Sequence, residues 1–253
     1  GVQCTPAYVL ITMEFVAGGS LQDIMKKFHP VPNSVAKRCC SDVLRALSYL
    51  HSKDIIHCDI KPANVLVDLD GVCKVADFGS SIANQSKQKK PSGSSETSSE
   101  FGVDNLRGTA AYMAPEVARG DDPTAVSDVW SFGVLLCELI SGKLPFDDTG
   151  MHLLKNESRF IVALSRLHTD ADFGVVNSGG TTAEQRDGGS PAFLPPRPLP
   201  ATASHNSTTT KHIALNIPST MDVLAREVVE ACLRPNPHQR VTVQQLLAFP
   251  FMM

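Results

Sequence analysis

The residues with the most chemical content lie in His57-Cys58-Asp59-Ile60-Lys61-Pro62-Ala63-Asn64, read together with Asp77-Phe78-Gly79. One carboxylate (Asp59), one ammonium (Lys61) and one amide (Asn64) fall within six positions. A second carboxylate, Asp77, follows two apolar runs. Such a set suits holding a nucleotide phosphate and its metal beside an acceptor hydroxyl. Each residue alone carries little, because an Asp or Asn in a turn is commonly a cap and a lone Lys is commonly solvated. The flanking elements supply the weight.

Those elements can be read in order. Tyr8–Met13 is β-rich and predicts a strand, with Glu14–Gly19 as a linker. Ser20 is a natural N-cap for a short helix with Leu21, Ile24, Met25 and Phe28 on one face. Asn33 or Ser34 caps a longer helix lined by Cys40, Val43, Leu44, Leu47 and Leu50, which Lys53-Asp54 ends. Ile55-Ile56 leads into the opening motif. Asn64–Val67 and Val72–Val75 predict two short strands joined by the turn Asp68-Leu69-Asp70-Gly71. Val126–Ile140 is apolar on nearly every side, as in a helix buried at the centre of a domain, and Gly142 is placed to stop it. One helix is expected over Met151–Leu167, and two more over Met221–Leu233 and Thr242–Phe249.

Two stretches interrupt this order. Residues 84–100 are rich in Ser, Lys and Gln, and residues 169–212 in Gly, Ser, Thr and Pro, so both read as disordered insertions. Asp172-Phe173-Gly174 repeats the letters of the earlier turn, but lies in the second insertion with no strand pair before it. It is read as a coincidence.

At 253 residues the chain suffices for one large domain or two small ones. Its net charge of −3 gives no global reason to expect nucleic acid or an anionic membrane as partner. No apolar run approaches the ~20 residues of a membrane span, and without a charged n-region followed by an apolar h-region a cleaved signal peptide is not expected. Seven cysteines lie scattered without a CxxC pair, mostly inside apolar periodic segments. Reduced core thiols in a cytoplasmic protein are therefore expected, not a disulfide or zinc framework. The sequons at Asn84, Asn156 and Asn206 are read as coincidental in that compartment.

With its flanks, the motif resembles the catalytic core of a eukaryotic protein kinase, over a hinge strand and C-terminal lobe. The resemblance implies a mainly helical α+β kinase-like fold across residues 1–253, with a hinge strand and a short β-hairpin. It implies ATP and Mg²⁺ as cofactors and a protein Ser/Thr hydroxyl as acceptor, with no nucleic acid or membrane partner. Asp59 matches the base that takes the acceptor's proton, and Lys61 the cation facing the transferring phosphoryl group. Asn64 and Asp77 match the metal ligands, and hard oxygen donors suit Mg²⁺ better than a soft transition metal. His57, Phe78 and Gly79 complete the two motifs. Met13-Glu14-Phe15-Val16 resembles the gatekeeper and hinge, with backbone groups of Glu14 and Val16 at the adenine edge and Leu66 beneath the ring. Asp128 matches the residue that holds the catalytic loop's backbone. Glu116, in Ala114-Pro115-Glu116, matches one half of an ion pair completed by Arg240. Lys61 with Thr109 resembles the serine/threonine class, and the flavour leans toward the STE, MAP-kinase-kinase-kinase-like group.

The pattern departs in two places. Cys58 stands where most such kinases have an arginine that pairs with an activation-loop phosphate. Control without that clamp is therefore expected; Ser92, Ser94, Ser95, Thr97, Ser98 and Ser99 are phosphoacceptor candidates by composition, but read first as a solvated linker. No glycine-rich loop or Val-Ala-Ile-Lys lysine occurs, so the N-terminal lobe is expected to be missing from this chain, with weak ATP binding as the consequence. A piece of an active serine/threonine kinase is the first reading. The alternative is a non-catalytic, pseudokinase-like docking module, which would have no need of Asp59, Lys61, Asn64 and Asp77 together. The Pro-rich run at 191–200 offers an SH3-type contact, against the plainer reading as a linker.

Overall fold

The computed structural model describes residues 1–28, 31–83, 108–167 and 213–253. Both insertions, with the second Asp-Phe-Gly and the Pro-rich run, lie outside these residues. At the start, β1 (Val2–Cys4) pairs antiparallel with β2 (Val9–Ile11), Val2 opposite Ile11. Sequence patterning misses β1, since three residues are too few to carry a period, and it overextends β2. Both strands are exposed throughout.

The first helix, α1 (Leu21–Lys27), starts where Ser20 predicts. Ser20 accepts from Asp23 N–H while Asp23 accepts from Ser20 N–H, a reciprocal capping box. Leu21 and Met25 are buried, but Phe28 falls past the last helical residue and is exposed. The long helix α2 (Asn33–Ser52) begins after Pro32, not under an Asn33 or Ser34 cap, and Pro32 offers no side-chain acceptor. Its predicted face is buried.

Beyond α2, β3 (Ile55–Ile56) enters the motif, and β4 (Val65–Val67) forms an antiparallel hairpin with β5 (Cys73–Val75). The hairpin turn is fixed by Asp68, whose Oδ1 accepts from Asp70 and Val72 N–H at 3.0 and 2.8 Å. Gly71 takes a φ of 76°, the left-handed region that glycine enters freely. After the hairpin, β6 (Ile82–Ala83) returns to pair with β3.

A short α3 (Pro115–Ala118) precedes α4 (Ala125–Ser141), which is buried on nearly all sides and ends at Gly142 with a φ of 69°. The expected Met151–Leu167 helix is two helices, α5 (Asp148–Leu153) and α6 (Glu157–Leu164). Asn156 breaks it by capping α6, accepting from Arg159 N–H at 3.1 Å. The chain closes with α7 (Val223–Cys232), capped by Asp222, and α8 (Val243–Leu247), capped by Thr242.

The core gathers around α4, which packs against α2 and α7. Gly133 makes the α7 contact this close, because a Cβ there would sit 2.5 Å from the Cys232 Cβ. A central helix without a polar face can deliver a charged side chain only inward. That is how Asp128 comes to be fully buried one turn into α4.

Candidate active site

The loop after β3 carries a backbone cost. Cys58 has a φ of 66°, a left-handed conformation that disfavours a side chain. The Asp128 carboxylate holds it there, accepting from His57 N–H at 3.0 Å and Cys58 N–H at 2.9 Å. His51, at the end of α2, donates Nε2–H to the same carboxylate at 2.8 Å. The His57 ring bonds through both of its nitrogens. Its Nδ1 accepts from Asp59 N–H at 3.3 Å, so the proton sits on Nε2, which donates to Ala76 O at 3.1 Å. One buried helix carboxylate and one imidazole thus tie the loop to the core and to the residue before Asp77.

Asp59 sits inside a complete shell of donors. Oδ1 accepts from Thr109 N–H and Oγ–H, both at 2.9 Å. Oδ2 accepts from Lys61 Nζ at 2.7 Å and Asn64 Nδ2 at 2.9 Å. Lys61 Nζ also donates to Thr109 Oγ at 2.6 Å. Burial opposes ionisation of Asp59, but the bonds from Lys61 and Thr109 and the Lys61 charge outweigh it. The carboxyl is held below its ordinary range. Gly108 allows Thr109 this approach: its φ is 95°, and a Cβ there would meet Cys58 O at 2.4 Å. Sequence therefore brings together Asp59, Lys61, Asn64 and Thr109 across some fifty positions of chain.

Asp77 is placed differently. It too has a left-handed φ, 64°, and it is exposed, with Gly79 N–H at 3.2 Å as its hydrogen-bond partner. Phe78 packs its ring edge-on to His57 at 5.2 Å, and Ala76 N–H donates to Asn64 O at 2.9 Å. The two motifs therefore share one corner of backbone. Asn64 uses its amide nitrogen on Asp59 O and Oδ2, which leaves its carbonyl oxygen available. That oxygen and the Asp77 carboxylate are both hard donors, of the kind that Mg²⁺ takes. Among the described residues no cluster of three His, Cys, Asp or Glu forms a metal cage.

The Met13–Val16 segment follows β2 without joining this hydrogen-bonded corner. Met13 is 80% exposed, Val16 half-buried, and Glu14 pairs with Lys74 on β5. Leu66 is half-buried on β4 and bridges Ser20. Close backbone contact links the two pieces, since Val67 N–H donates to Gly19 O at 2.9 Å.

Glu116 and Arg240 meet in a two-pronged pair at 2.6 and 2.9 Å, with the Arg240 side chain fully buried. Ser127 Oγ adds a donor to Glu116 at 2.9 Å, and the guanidinium lies 5.2 Å from the Trp130 ring centroid. Burial disfavours the Glu116 charge, but Arg240 more than offsets it and lowers the carboxyl. Sequence reading missed three contributors: His51, Ser127 and the Tyr112–Glu138 bond, in which the Tyr112 hydroxyl donates. Burial pushes the Glu138 carboxyl up. A polar residue in an otherwise apolar helix was the available signal for Ser127 and Glu138; His51, at a helix end, gave none.

Residues 2–252 match the family model described as protein kinase domain. The chain is 30% identical to mitogen-activated protein kinase kinase kinase ANP1 of Arabidopsis thaliana over 243 residues, covering 96% of this chain and 28% of that protein. It is 36% identical to serine/threonine-protein kinase STE11 of Saccharomyces cerevisiae over 138 residues, 54% of this chain and 18% of that protein. Mitogen-activated protein kinase kinase kinase 12 of Rattus norvegicus is 37% identical over 147 residues, 57% of this chain and 15% of that protein. The chain thus spans under a third of each of these relatives.

Proposed function

This chain belongs to the protein kinase family, and from that premise we propose that it forms the acceptor side of a serine/threonine kinase active site. The observation that carries the reading is the Asp59 carboxylate, ionised and gripped by Lys61, Asn64 and Thr109. Asp59 orients the O–H of a substrate serine or threonine and takes its proton as that oxygen bonds to the γ-phosphorus. The bond between the γ-phosphorus and the bridging oxygen breaks, and ADP leaves. Lys61 faces charge on the transferring group, and its bond to Thr109 keeps the ammonium aimed. Asn64 Oδ1 and Asp77 would hold Mg²⁺, which supplies neutralisation of phosphate charge when bound. Backbone groups of Glu14 and Val16 take the adenine edge, with Leu66 beneath it. Asp128 and His57 position the loop, and the Glu116–Arg240 pair anchors the segment that carries Thr109.

The relatives' names support a kinase that phosphorylates other kinases, and the proposed place of action is the cytoplasm. No described helix is long and apolar enough to cross a membrane. A non-catalytic module leaves the four-donor shell around Asp59 without a purpose. The test is transfer of γ-phosphate by the full-length protein, with phosphoamino-acid analysis of the product. Phosphoserine or phosphothreonine is expected, and is expected to vanish in Asp59→Asn. Phosphotyrosine as the product, or equal transfer by Asp59→Asn, would overturn the reading.

A further inference from the structure

Away from the reaction corner, a cavity of about 570 Å³ opens along one face of α2 beside Val72. That volume falls in the range of small-ligand sites, about 300–1,000 Å³. Three cations line it, Lys37, Arg38 and Arg45, with the hydroxyls of Ser34 and Ser41. Their spacing follows one helix face, so all five point into the same groove. The cluster stands out in a chain of net charge −3.

Its one carboxylate among the described lining residues is already engaged. Asp42 Oδ2 accepts from Cys73 N–H at 3.0 Å, and Oδ1 lies 3.7 Å from Arg45. That ion pair is loose, and the Arg45 side chain is 74% exposed, so it holds Arg45 weakly. Arg38 is aimed by a bond from its Nη2 to Asp70 O at 3.0 Å, which leaves the rest of the guanidinium fork for another acceptor. Among the described residues, Ser41 Oγ has the soft Met252 Sδ as its partner, at 3.9 Å.

We propose that this groove docks a phosphoserine or phosphothreonine side chain of a partner protein. Two guanidinium forks, an ammonium and two hydroxyls match a dianion with three terminal oxygens better than a single carboxylate. A membrane surface is disfavoured, because the only apolar residue in the lining is Val72. Single-stranded nucleic acid is disfavoured for want of an aromatic platform. The site is separate from Asp59, and the proposal stands whether or not the chain transfers phosphate.

The test uses full-length protein and a degenerate peptide pool built around a central phosphoserine, beside the same pool with serine. Retention of the phosphoserine pool alone is expected. Arg38→Ala with Arg45→Ala should weaken it by about tenfold or more, while thermal stability stays unchanged at these exposed positions. Arg38→Lys with Arg45→Lys keeps the charge but not the forks, and should recover only part of the binding. Asp42→Asn, which keeps an acceptor for Cys73, should tighten it. Equal retention of the two pools, retention unaffected by the double Ala variant, or a preference for single-stranded RNA or anionic vesicles lost in that variant would each overturn the proposal.

Discussion

Two aspartates of the same site live in opposite surroundings. Asp59 is buried and accepts four hydrogen bonds, whereas Asp77 is exposed and, among the described residues, accepts one from its own turn. The proposed acceptor side is thus preorganised by the protein's own groups. The proposed metal and nucleotide side is presented as open oxygen donors and backbone. Preorganisation on one side lets the base keep its charge while partly desolvated, and openness on the other leaves coordination to the ligand. This division predicts where substitutions cost stability and where they cost only chemistry.

The largest stability loss belongs to the anchor of the buried side. Arg240→Ala strands the Glu116 carboxylate, and should cost about 3–5 kcal/mol in denaturant unfolding of the full-length protein. Next comes Asp128→Asn, which keeps one acceptor for the three donors of His51, His57 and Cys58. A loss of about 2 kcal/mol is expected, with a drop in turnover from the loosened loop. Acid should act on the same half. The Glu116 carboxyl is lowered in the folded state, so its contribution is full above the unfolded value, about 4.3. That contribution fades as pH falls through the lower folded value. Glu116→Gln should therefore flatten the acid limb of a stability–pH curve; an unchanged limb would place the pair outside the linkage. The smallest effect is expected at Asp77→Asn, within about 0.5 kcal/mol of the parent. A loss comparable to that of Asp128→Asn would break the comparison.

The same contrast explains what could be read in the sequence. The β4–β5 hairpin, Ser20, Gly142 and the mostly apolar α4 were legible because each is a local rule of turn, cap or period. The break between α5 and α6 was not. Apolar periodicity runs through Asn156, and only the cap geometry shows that it starts a new helix. Nor were β1 and β6, whose three and two residues are too few to carry a period. At the site, residue types and spacing within 57–64 singled out the chemistry. The approach of Thr109 depends on Gly108 meeting the Cys58 carbonyl, and His51 reaches Asp128 through the packing of α2 on α4. Both are tertiary facts without a local signature.

The division between the two aspartates is tested most directly by ATP·Mg²⁺ affinity, measured in full-length Asp59→Asn and Asp77→Asn beside the parent, with phosphotransfer read on the same samples. Asp59→Asn should bind within about twofold of the parent while its transfer falls by about 10²–10⁴. Asp77→Asn should lose the Mg²⁺-dependent part of its affinity. Nucleotide binding lost equally in both variants, or transfer retained in Asp59→Asn, would contradict the account.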